Sequence, residues 1–168
     1  MKPKHPSASR TTMSDLVLTG ETNNINNLFG GELLARMDRV ASITAQRHSG
    51  EIVVTASVNH VAFNQAIPLG SIVTVEAKVS RAFNSSMEVY IDVWVDTKEG
   101  APIKANEGIY TFVAVDKNGK PVKVPELVPK SELEKERFEA ALRRKQLSLV
   151  LAGKMRADEA TELKALFS

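Results

Sequence analysis

Residues 31–47 read GELLARMDRVASITAQR, and this stretch decides the fold. Its apolar residues recur every three or four positions, which is the spacing of one face of an α-helix. That stripe comprises Leu33, Leu34, Met37, Val40, Ala41 and Thr44. The charged residues Glu32, Arg36, Arg39 and Arg47 fall on the opposite side. Ser49-Gly50 then supplies an end signal. The pattern predicts one amphipathic helix from about Gly31 to Arg47, with a single apolar face to bury.

Four strand-like segments follow the helix, near residues 52–59, 73–80, 87–96 and 103–115. Apolar and polar residues alternate along them, and turn signals such as Pro68 to Gly70 and Asn84-Ser85 separate them. One-sided alternation is typical of an antiparallel sheet with one buried face. Because a helix with one apolar stripe can cover that face, the order predicts an α+β fold in which an antiparallel sheet wraps one long central helix.

The two ends of the chain differ from this central part. Residues 1–10 are rich in Lys, Pro and Ser, which predicts a flexible N-terminal arm. Residues 11–128 hold the central domain, with a first strand expected from Thr11 to Leu18. Ser131 and Glu134 form a capping-box pattern, so residues 129–168 are expected to be a C-terminal helical extension. Its apolar face would comprise Leu133, Phe138, Ala141, Leu142 and Leu149.

The composition restricts the chemistry that the chain can perform. It contains no cysteine, which excludes disulfides, thiolate metal sites and a cysteine nucleophile. His5, His48 and His60 lie at no metal-ligand spacing, so no metal is expected. The net charge of +2 is too small to argue for nucleic acid. Since no apolar run approaches the ~20 residues of a membrane span and the basic start lacks a secretory core, we expect a cytoplasmic protein that binds neither nucleic acid nor membrane.

Asp38 is the residue out of place in the helix. At about 100° per residue, it lies on the shoulder of the apolar stripe, between Leu34 and Ala45. A carboxylate near a core is costly unless it has a partner or performs chemistry. Two interpretations therefore stay open from the residues alone: a structural contact with a backbone donor or an arginine, or a catalytic carboxylate.

Two further candidates lie just before the helix. Gly30-Gly31 would allow a ligand to approach the backbone closely, and the free N–H groups of a helix N-terminus suit a developing oxyanion. A tight turn that needs glycine would explain the pair equally. Asn27 could cap the helix or its loop, or it could donate to a substrate carbonyl.

Taken in order, these segments resemble the acyl-CoA thioesterases of the hotdog superfamily, in the branch of bacterial short-chain acyl-CoA hydrolases and mammalian cytosolic long-chain acyl-CoA hydrolase. The matching pieces are Thr22-Asn23, NLFGGELL at 27–34, Met37-Asp38, Arg47-His48, VVTASV at 53–58, Phe63, NSSMEV at 84–89, TFVAVD at 111–116 and Val124-Pro125. The likeness runs from about residue 12 to about residue 127. It implies the hotdog fold and hydrolysis of fatty acyl-CoA to a carboxylic acid and coenzyme A, with no separate cofactor.

The resemblance also implies roles for individual residues. Asp38 matches the catalytic aspartate of the central helix, acting as a general base on water or as a nucleophile. Asn27 matches the position that assists at the thioester, and Gly31 matches the glycine whose N–H polarises the carbonyl. The residues expected beside coenzyme A are Thr55, Ala56, Phe63, Ser85 and Ser86. In this family the site lies at a dimer interface, so Asp38 and Asn27 would come from different subunits of a homodimer or a trimer of dimers.

Two other hotdog functions compete with hydrolysis. A dehydratase acting on hydroxyacyl thioesters would be expected to use a histidine in a His-rich, proline-bearing loop, and neither His48 nor His60 lies in one. A non-catalytic acyl-CoA-binding sensor would keep the pocket without a base, and Asp38 favours catalysis over it. A serine hydrolase is disfavoured because the chain has no G-x-S-x-G elbow.

Overall fold

The structure, a computed structural model, describes all 168 residues. Its helices and strands, in chain order, are α1 (Pro6–Ser9), β1 (Thr11–Leu16), α2 (Gly30–Ser49), β2 (Ile52–Phe63), β3 (Ile72–Ala82), β4 (Ser86–Val95), β5 (Ile103–Val115), α3 (Glu132–Leu151) and α4 (Thr161–Lys164). Short 3-10 turns occupy Thr19–Glu21, Ala157–Glu159 and Ala165–Phe167. The predicted central helix is present and is three residues longer than expected. None of the helices combines the length and hydrophobicity that a bilayer crossing requires.

The five strands form one sheet in the order β1-β3-β4-β5-β2, and every neighbouring pair is antiparallel. Helix α2 lies against one face and contacts all five strands. The alternation predicted for β3 and β4 is confirmed, because one face of each strand is buried: Val73, Val75, Ala77 and Val79 on β3, and Met87, Val89, Ile91, Val93 and Val95 on β4. This arrangement is the predicted sheet wrapped around one helix.

The core lies between α2 and the sheet. Met37, Ala41 and Ala45 of the helix are completely buried there, and burying a large apolar side chain contributes about 1.5–3 kcal/mol. Gly108 on β5 lies where α2 packs tightly against the sheet, since a Cβ at this position would lie 2.5 Å from the Met37 methyl group. The missing side chain therefore lets the helix approach the sheet closely beside Asp38.

Strand β2 departs from the predicted alternation. Two irregularities, between Thr55 and Ser57 and between Asn59 and Ala62, interrupt its pairing with β5. Ile52 and Val54 remain about half exposed, at 57% and 48%, instead of forming a buried face. The reason is position: β2 is an edge strand with a neighbour on one side only.

The N-terminal arm is not free. Lys4 pairs with the segment around Leu127, through Lys4 N–H to the Glu126 carbonyl and Val128 N–H to the Lys4 carbonyl, both 2.9 Å. Its ammonium donates to the Arg47 and His48 carbonyls at 3.0 and 2.8 Å. A cation is favourable at this place, because it lies at the C-terminal end of α2. The composition that predicts a flexible arm does not reveal this partner, which lies more than 120 residues away.

Helix α3 begins as predicted, with a capping box between Ser131 and Glu134. Its predicted apolar face is largely confirmed: Ala141 is buried, Phe138 packs against the core, and Leu142 and Leu149 are partly buried. Leu133 is the exception, at 54% exposed. Charged pairs add to these contacts: Arg144 binds Glu88 and Arg137 binds Asp92 on β4. Glu88 and Asp92 alternate with the residues that face α2, so α3 covers the opposite face of the sheet.

Candidate active site

Asp38 lies on the side of α2 that faces the edge strand β2. Its side chain is half-buried, and the Thr55 hydroxyl donates a hydrogen bond to its Oδ1 at 2.8 Å. None of the ion pairs in the structure involves Asp38. The structural role considered from the sequence, a contact with a backbone donor or an arginine, is therefore not what the structure contains.

Tyr110 lies close to this carboxylate in the core. Its hydroxyl donates to the Leu34 carbonyl at 3.0 Å, one turn before Asp38. Burial, together with the negative charge of Asp38, raises the pKa of Tyr110 to about 12. Tyr110 thus stays a neutral donor that fixes α2 against β5. No sequence pattern indicates this role, beyond the placement of Tyr110 in a strand.

The N-terminus of α2 supplies unused hydrogen-bond donors. Leu33 N–H is bonded to the Phe29 carbonyl at 3.1 Å, so the N–H groups of Gly30, Gly31 and Glu32 have no acceptor within the helix. Neither glycine has a positive φ, so the interpretation as a turn that requires glycine is wrong. A Cβ at Gly31 would meet only the Phe29 ring, at 3.6 Å. The exposed Gly31 N–H is therefore free for a ligand, as the oxyanion role requires.

A compact loop, residues 22–28, precedes this helix and is called the asparagine loop below. The Asn23 side-chain oxygen accepts from the N–H groups of Ile25 and Asn27 at 3.1 and 3.2 Å. Asn23 N–H donates to the Asn27 carbonyl at 2.8 Å. Asn27 does not cap α2, because the N-cap residue is Phe29 and no side chain bonds there. The side chain of Asn27 makes no hydrogen bond, so it is free to meet a substrate.

The residues predicted to contact coenzyme A fall into three places. Thr55 meets Asp38 on the α2 side of the sheet. Ala56 and Ser86 line one cleft of about 200 Å³ on the α3 side, and Ser85 is the neighbour of Ser86 in the chain. Phe63 lies apart at the other end of β2, where its ring faces Gly30. The structure therefore brings Ala56 and Ser86 together and places Thr55 and Phe63 elsewhere.

The cleft carries more positive than negative charge. Arg144 is bound to Glu88 through two hydrogen bonds of 2.8 and 2.9 Å. Lys145 makes no ion pair, and its ammonium lies 5.2 Å from the centre of the Phe83 ring. These two cations outnumber the one carboxylate of the lining, which favours an anionic ligand. Arg144 and Lys145 belong to the basic run Arg143-Arg144-Lys145, and the structure puts these two members of it in the cleft.

These groups together suit acyl transfer. A half-buried carboxylate can accept a proton, and free N–H groups at a helix N-terminus can stabilise an oxyanion. No group of three or more His, Cys, Asp or Glu side chains is arranged to hold a metal ion. What the arrangement offers is a base or nucleophile, an oxyanion donor and a basic cleft.

Comparison with known proteins also indicates acyl transfer, because the similar proteins are thioesterases. The family model of the thioesterase superfamily matches residues 25–101. A Bacillus subtilis (strain 168) protein named acyl-CoA thioester hydrolase YkhA is 41% identical over 75% of this chain and 74% of its own. An apo-hexameric acyl-CoA thioesterase superposes with a TM-score of 0.86 at 36% identity, covering 90% of this chain and 98% of the other. These matches confirm the hotdog fold.

A second solved structure is the acyl-CoA hydrolase from Staphylococcus aureus in complex with butyryl coenzyme A, coenzyme A and coenzyme A disulfide. It has a TM-score of 0.84 and 34% identity, over 98% of this chain and 99% of that chain. Variants of that enzyme have been solved in which an aspartate, a threonine or an asparagine is replaced by alanine. The asparagine lies fifteen residues before the aspartate, and the threonine seventeen residues after it.

Proposed function

Because the chain belongs to the thioesterase superfamily, we propose that it hydrolyses acyl-CoA thioesters to a carboxylic acid and coenzyme A. The observation that carries this proposal is Asp38, a half-buried carboxylate without a cation, held by the Thr55 hydroxyl. A thioester is an activated acyl group, so a base and an oxyanion donor can suffice for its hydrolysis. An acyl-CoA sensor would have no use for this carboxylate.

Asp38 accepts a proton from water and later gives it to the leaving thiolate. Its Oδ1 is occupied by Thr55, whereas its Oδ2 has no partner in the chain. As a general base, Oδ2 takes a proton from water while the water oxygen attacks the thioester carbonyl carbon. In the proposed dimer, the Gly31 N–H of the partner subunit donates to the carbonyl oxygen as it becomes negative, since the Gly31 of the same helix lies about 10 Å from Asp38 along the axis. When the C–S bond breaks, the sulfur of coenzyme A leaves as a thiolate and takes a proton from Asp38.

The same carboxylate supports a nucleophilic route. Oδ2 would then attack the thioester carbon itself and expel the coenzyme A thiolate, leaving a mixed anhydride that water hydrolyses. Both routes need the same free oxygen and the same oxyanion donor. Trapping the anhydride, or finding ¹⁸O from water in the Asp38 carboxylate after one turnover, distinguishes the nucleophilic route from the general-base route.

Spacing supports Asn23, in addition to Asn27, as the asparagine that assists at the thioester. In this chain the residue fifteen positions before Asp38 is Asn23, and the residue seventeen positions after it is Thr55. The second correspondence agrees with the contact between Thr55 and Asp38. The same spacing in the S. aureus enzyme therefore points to Asn23, whereas the free side chain of Asn27 keeps that residue a candidate.

We place the complete site at a dimer interface formed by β2. This strand is twelve residues long, lies at the sheet edge, and exposes Val54, Val58 and Phe63 by 47–56%. Long apolar edge strands aggregate unless another chain covers them. A second copy pairing along β2 would bury this edge beside Thr55 and Asp38. Hexameric relatives support a trimer of such dimers.

We place part of coenzyme A in the cleft between β2 and α3. The nucleotide phosphates would meet Lys145 and the Arg144 side of the cleft, and Ala56 and Ser86 would pack beside the ligand. Thr55, on the opposite face of the same strand, would lie at the thioester end. Ser85 and Phe63 stay predicted contacts on the family resemblance.

The decisive measurement is thiol release from a panel of acyl-CoAs, from acetyl to palmitoyl, with the Asp38→Ala variant in parallel. The chain has no cysteine, so the protein adds no background to a colorimetric thiol assay. We expect the wild-type protein to release thiol. The rate should fall by at least about 100-fold in Asp38→Ala, which is the range for removing a general acid–base group. The panel also reports the preferred chain length.

Glu32→Ala is the matched control, because Glu32 is an exposed carboxylate in the first turn of the same helix. It should keep wild-type activity. Activity in Asp38→Ala equal to that of the control would exclude Asp38 from the chemistry. Binding of coenzyme A without release from any acyl-CoA would contradict hydrolysis and support the sensor.

A further inference from the structure

Arg36 is a charged residue that the helical pattern places on the exposed side of α2, yet the structure buries it. Its side chain is only 6% exposed. One of its nitrogens, Nη2, donates to the Glu21 carboxylate at 2.9 Å and to the Leu16 carbonyl at 3.0 Å. Its Nη1 is buried without any partner. A buried donor without a partner lowers stability. Stability alone therefore does not explain why Arg36 is buried against Glu21.

Glu21 joins several parts of the structure at one point. One carboxylate oxygen binds Arg36, and the other accepts the Leu18 N–H at 2.9 Å. Its backbone carbonyl accepts the Phe29 N–H at 2.8 Å. The Leu18 amide and the Arg36 guanidinium lower the pKa of Glu21, which keeps it ionised. Glu21 therefore fixes both ends of the asparagine loop, since Glu21 and Phe29 flank it.

The asparagine loop is tied by hydrogen bonds of its own, and it also pairs with residues 67–69. The Asn23 side chain holds two N–H groups of the loop, and Thr22 and Leu28 form an isolated β-bridge. Arg36 is the only side chain of α2 that bonds to residues 16–21, directly before this loop, whereas Arg47 bonds to Arg10 and Thr11 at the start of β1. Arg36 is also two residues from Asp38 on α2.

We infer that the Arg36–Glu21 ion pair is a positioning device of the active site, which sets the asparagine loop relative to the helix that carries Asp38. The inference rests on the proposed function, in which an asparagine of this loop acts on the same thioester as the Asp38 of the partner subunit, so the ion pair sets the loop by holding it to α2 of its own subunit. Buried ion pairs add little net stability compared with apolar replacements. A shift of about 1 Å in a reacting group, however, can cost about a hundredfold in rate.

The test compares Arg36→Met, Arg36→Lys and Glu21→Gln with wild type, using butyryl-CoA hydrolysis. Arg39→Met is the matched control, because Arg39 is an exposed arginine of the same helix. We expect kcat to fall by about tenfold to a hundredfold in Arg36→Met, with KM within about twofold. Arg36→Lys should recover part of the loss, since an ammonium can still pair with Glu21. The double variant with Glu21→Gln should be no worse than Arg36→Met alone, because the two residues act as one unit.

Hydrogen exchange gives a readout that does not depend on turnover. The Asn27 and Phe29 amides should exchange faster in Arg36→Met than in Arg39→Met. A kcat in Arg36→Met equal to that of Arg39→Met would overturn the inference. So would a loss of kcat that disappears at a lower assay temperature where both variants are fully folded, because that marks a structural role only. An inactive wild-type protein would overturn the proposed function, and the inference with it.

Discussion

The contact between Asp38 and Thr55 is the basis of the proposed chemistry at the residue scale. Thr55 holds one carboxylate oxygen and thereby leaves the other free for water or substrate. Because threonine is branched at Cβ, its χ1 rotamer is restricted, so the donor points at Asp38 without much loss of entropy. The carboxylate orientation is therefore set by a strand residue and not by the helix that carries Asp38.

Replacing Thr55 with valine keeps the shape of the side chain and removes the donor. We expect kcat for butyryl-CoA to fall by about tenfold, since a hydrogen bond to a charged group contributes about 1.5–3 kcal/mol. Thr55→Ser keeps the hydroxyl and should stay within about threefold of wild type. Steady-state thiol release measures both variants. Equal losses in Thr55→Val and Thr55→Ser would show that packing, and not the hydrogen bond, is what Thr55 contributes.

At this scale the sequence revealed Asp38 but not its surroundings. The helical wheel located the misplaced carboxylate because that property depends only on neighbours along one helix. It failed for Arg36, which it put on the exposed side, because the partner Glu21 lies fifteen residues away across a loop. The contact between Thr55 and Asp38 spans seventeen residues. Spacing within an element is readable from sequence, whereas contacts between elements need the fold.

Among the elements, α2 is fixed at its C-terminal end by a buried histidine. His48 is completely buried, and its Nε2 lies 2.8 Å from the Pro125 carbonyl. Since that oxygen can only accept, Nε2 carries the proton. Burial lowers the pKa of His48, and the nearby Lys4 ammonium also disfavours the charged form. The folded protein therefore holds His48 neutral.

The stability of the fold should fall on mild acidification because of His48. Its pKa is lowered from 6.5 in the folded state, so below pH 6.5 the unfolded chain binds the additional proton. The stabilising effect of the neutral form is complete above that pH and is lost as the pH falls toward the folded pKa. His48→Gln should flatten this part of a urea midpoint versus pH curve. His60→Asn, which removes an exposed histidine, should retain the wild-type slope, and a wild-type slope in His48→Gln would refute the assignment.

Helix α3 is held to the sheet by charged pairs in addition to its apolar face. Arg144 binds Glu88, a side chain 6% exposed that also accepts from the Ser80 hydroxyl at 2.5 Å. Arg144→Met would leave this carboxylate buried without its cation. Removing one partner of a buried ion pair costs about 3–5 kcal/mol. Because Arg144 itself is partly exposed, we expect a loss near or below the lower end of that range, about 2–4 kcal/mol in the free energy of unfolding.

Urea unfolding at a fixed protein concentration measures this loss. The neighbouring variant Arg143→Met is the control, because Arg143 makes no hydrogen bond or ion pair. Adding Glu88→Leu to Arg144→Met should recover most of the stability, since no buried charge is then left alone. Failure of the second substitution to recover stability would mean that Arg144 acts through packing of its stem and not through charge.

Elements with strong local periodicity were predictable, and those shaped by distant partners were not. The central helix and strands β3 and β4 followed their patterns because α2 buries one face of each. The alternation failed in β2, which lies at the sheet edge and contains two irregularities. The composition of the N-terminal arm does not indicate that Lys4 pairs with a segment near Leu127. Both features depend on the place of a segment in the fold, which local patterns do not contain.

At the scale of the whole molecule, the proposed dimer would give each chain one part of two different sites. Strand β2 is an unpaired apolar edge next to Asp38, and the asparagine loop lies at the N-terminal end of the same helix. Pairing of two copies along β2 would bring the Asp38 of one subunit to the asparagine loop of its partner. Closed two-fold symmetry then produces two identical sites per dimer.

A site shared between two subunits predicts that two inactive variants restore activity when they are mixed, whereas a site within one chain does not. Asp38→Ala and Asn23→Ala should each be nearly inactive alone. When the two are co-expressed with different tags and the mixed dimers are purified, one site contains both intact residues and the other contains neither. We expect such mixed dimers to regain about half of the wild-type activity per dimer. Repeating the experiment with Asn27→Ala identifies which asparagine acts, because only the acting residue gives inactivity alone and recovery in the mixture. Mixed dimers that stay inactive with both asparagine variants would show that Asp38 and its asparagine belong to the same subunit.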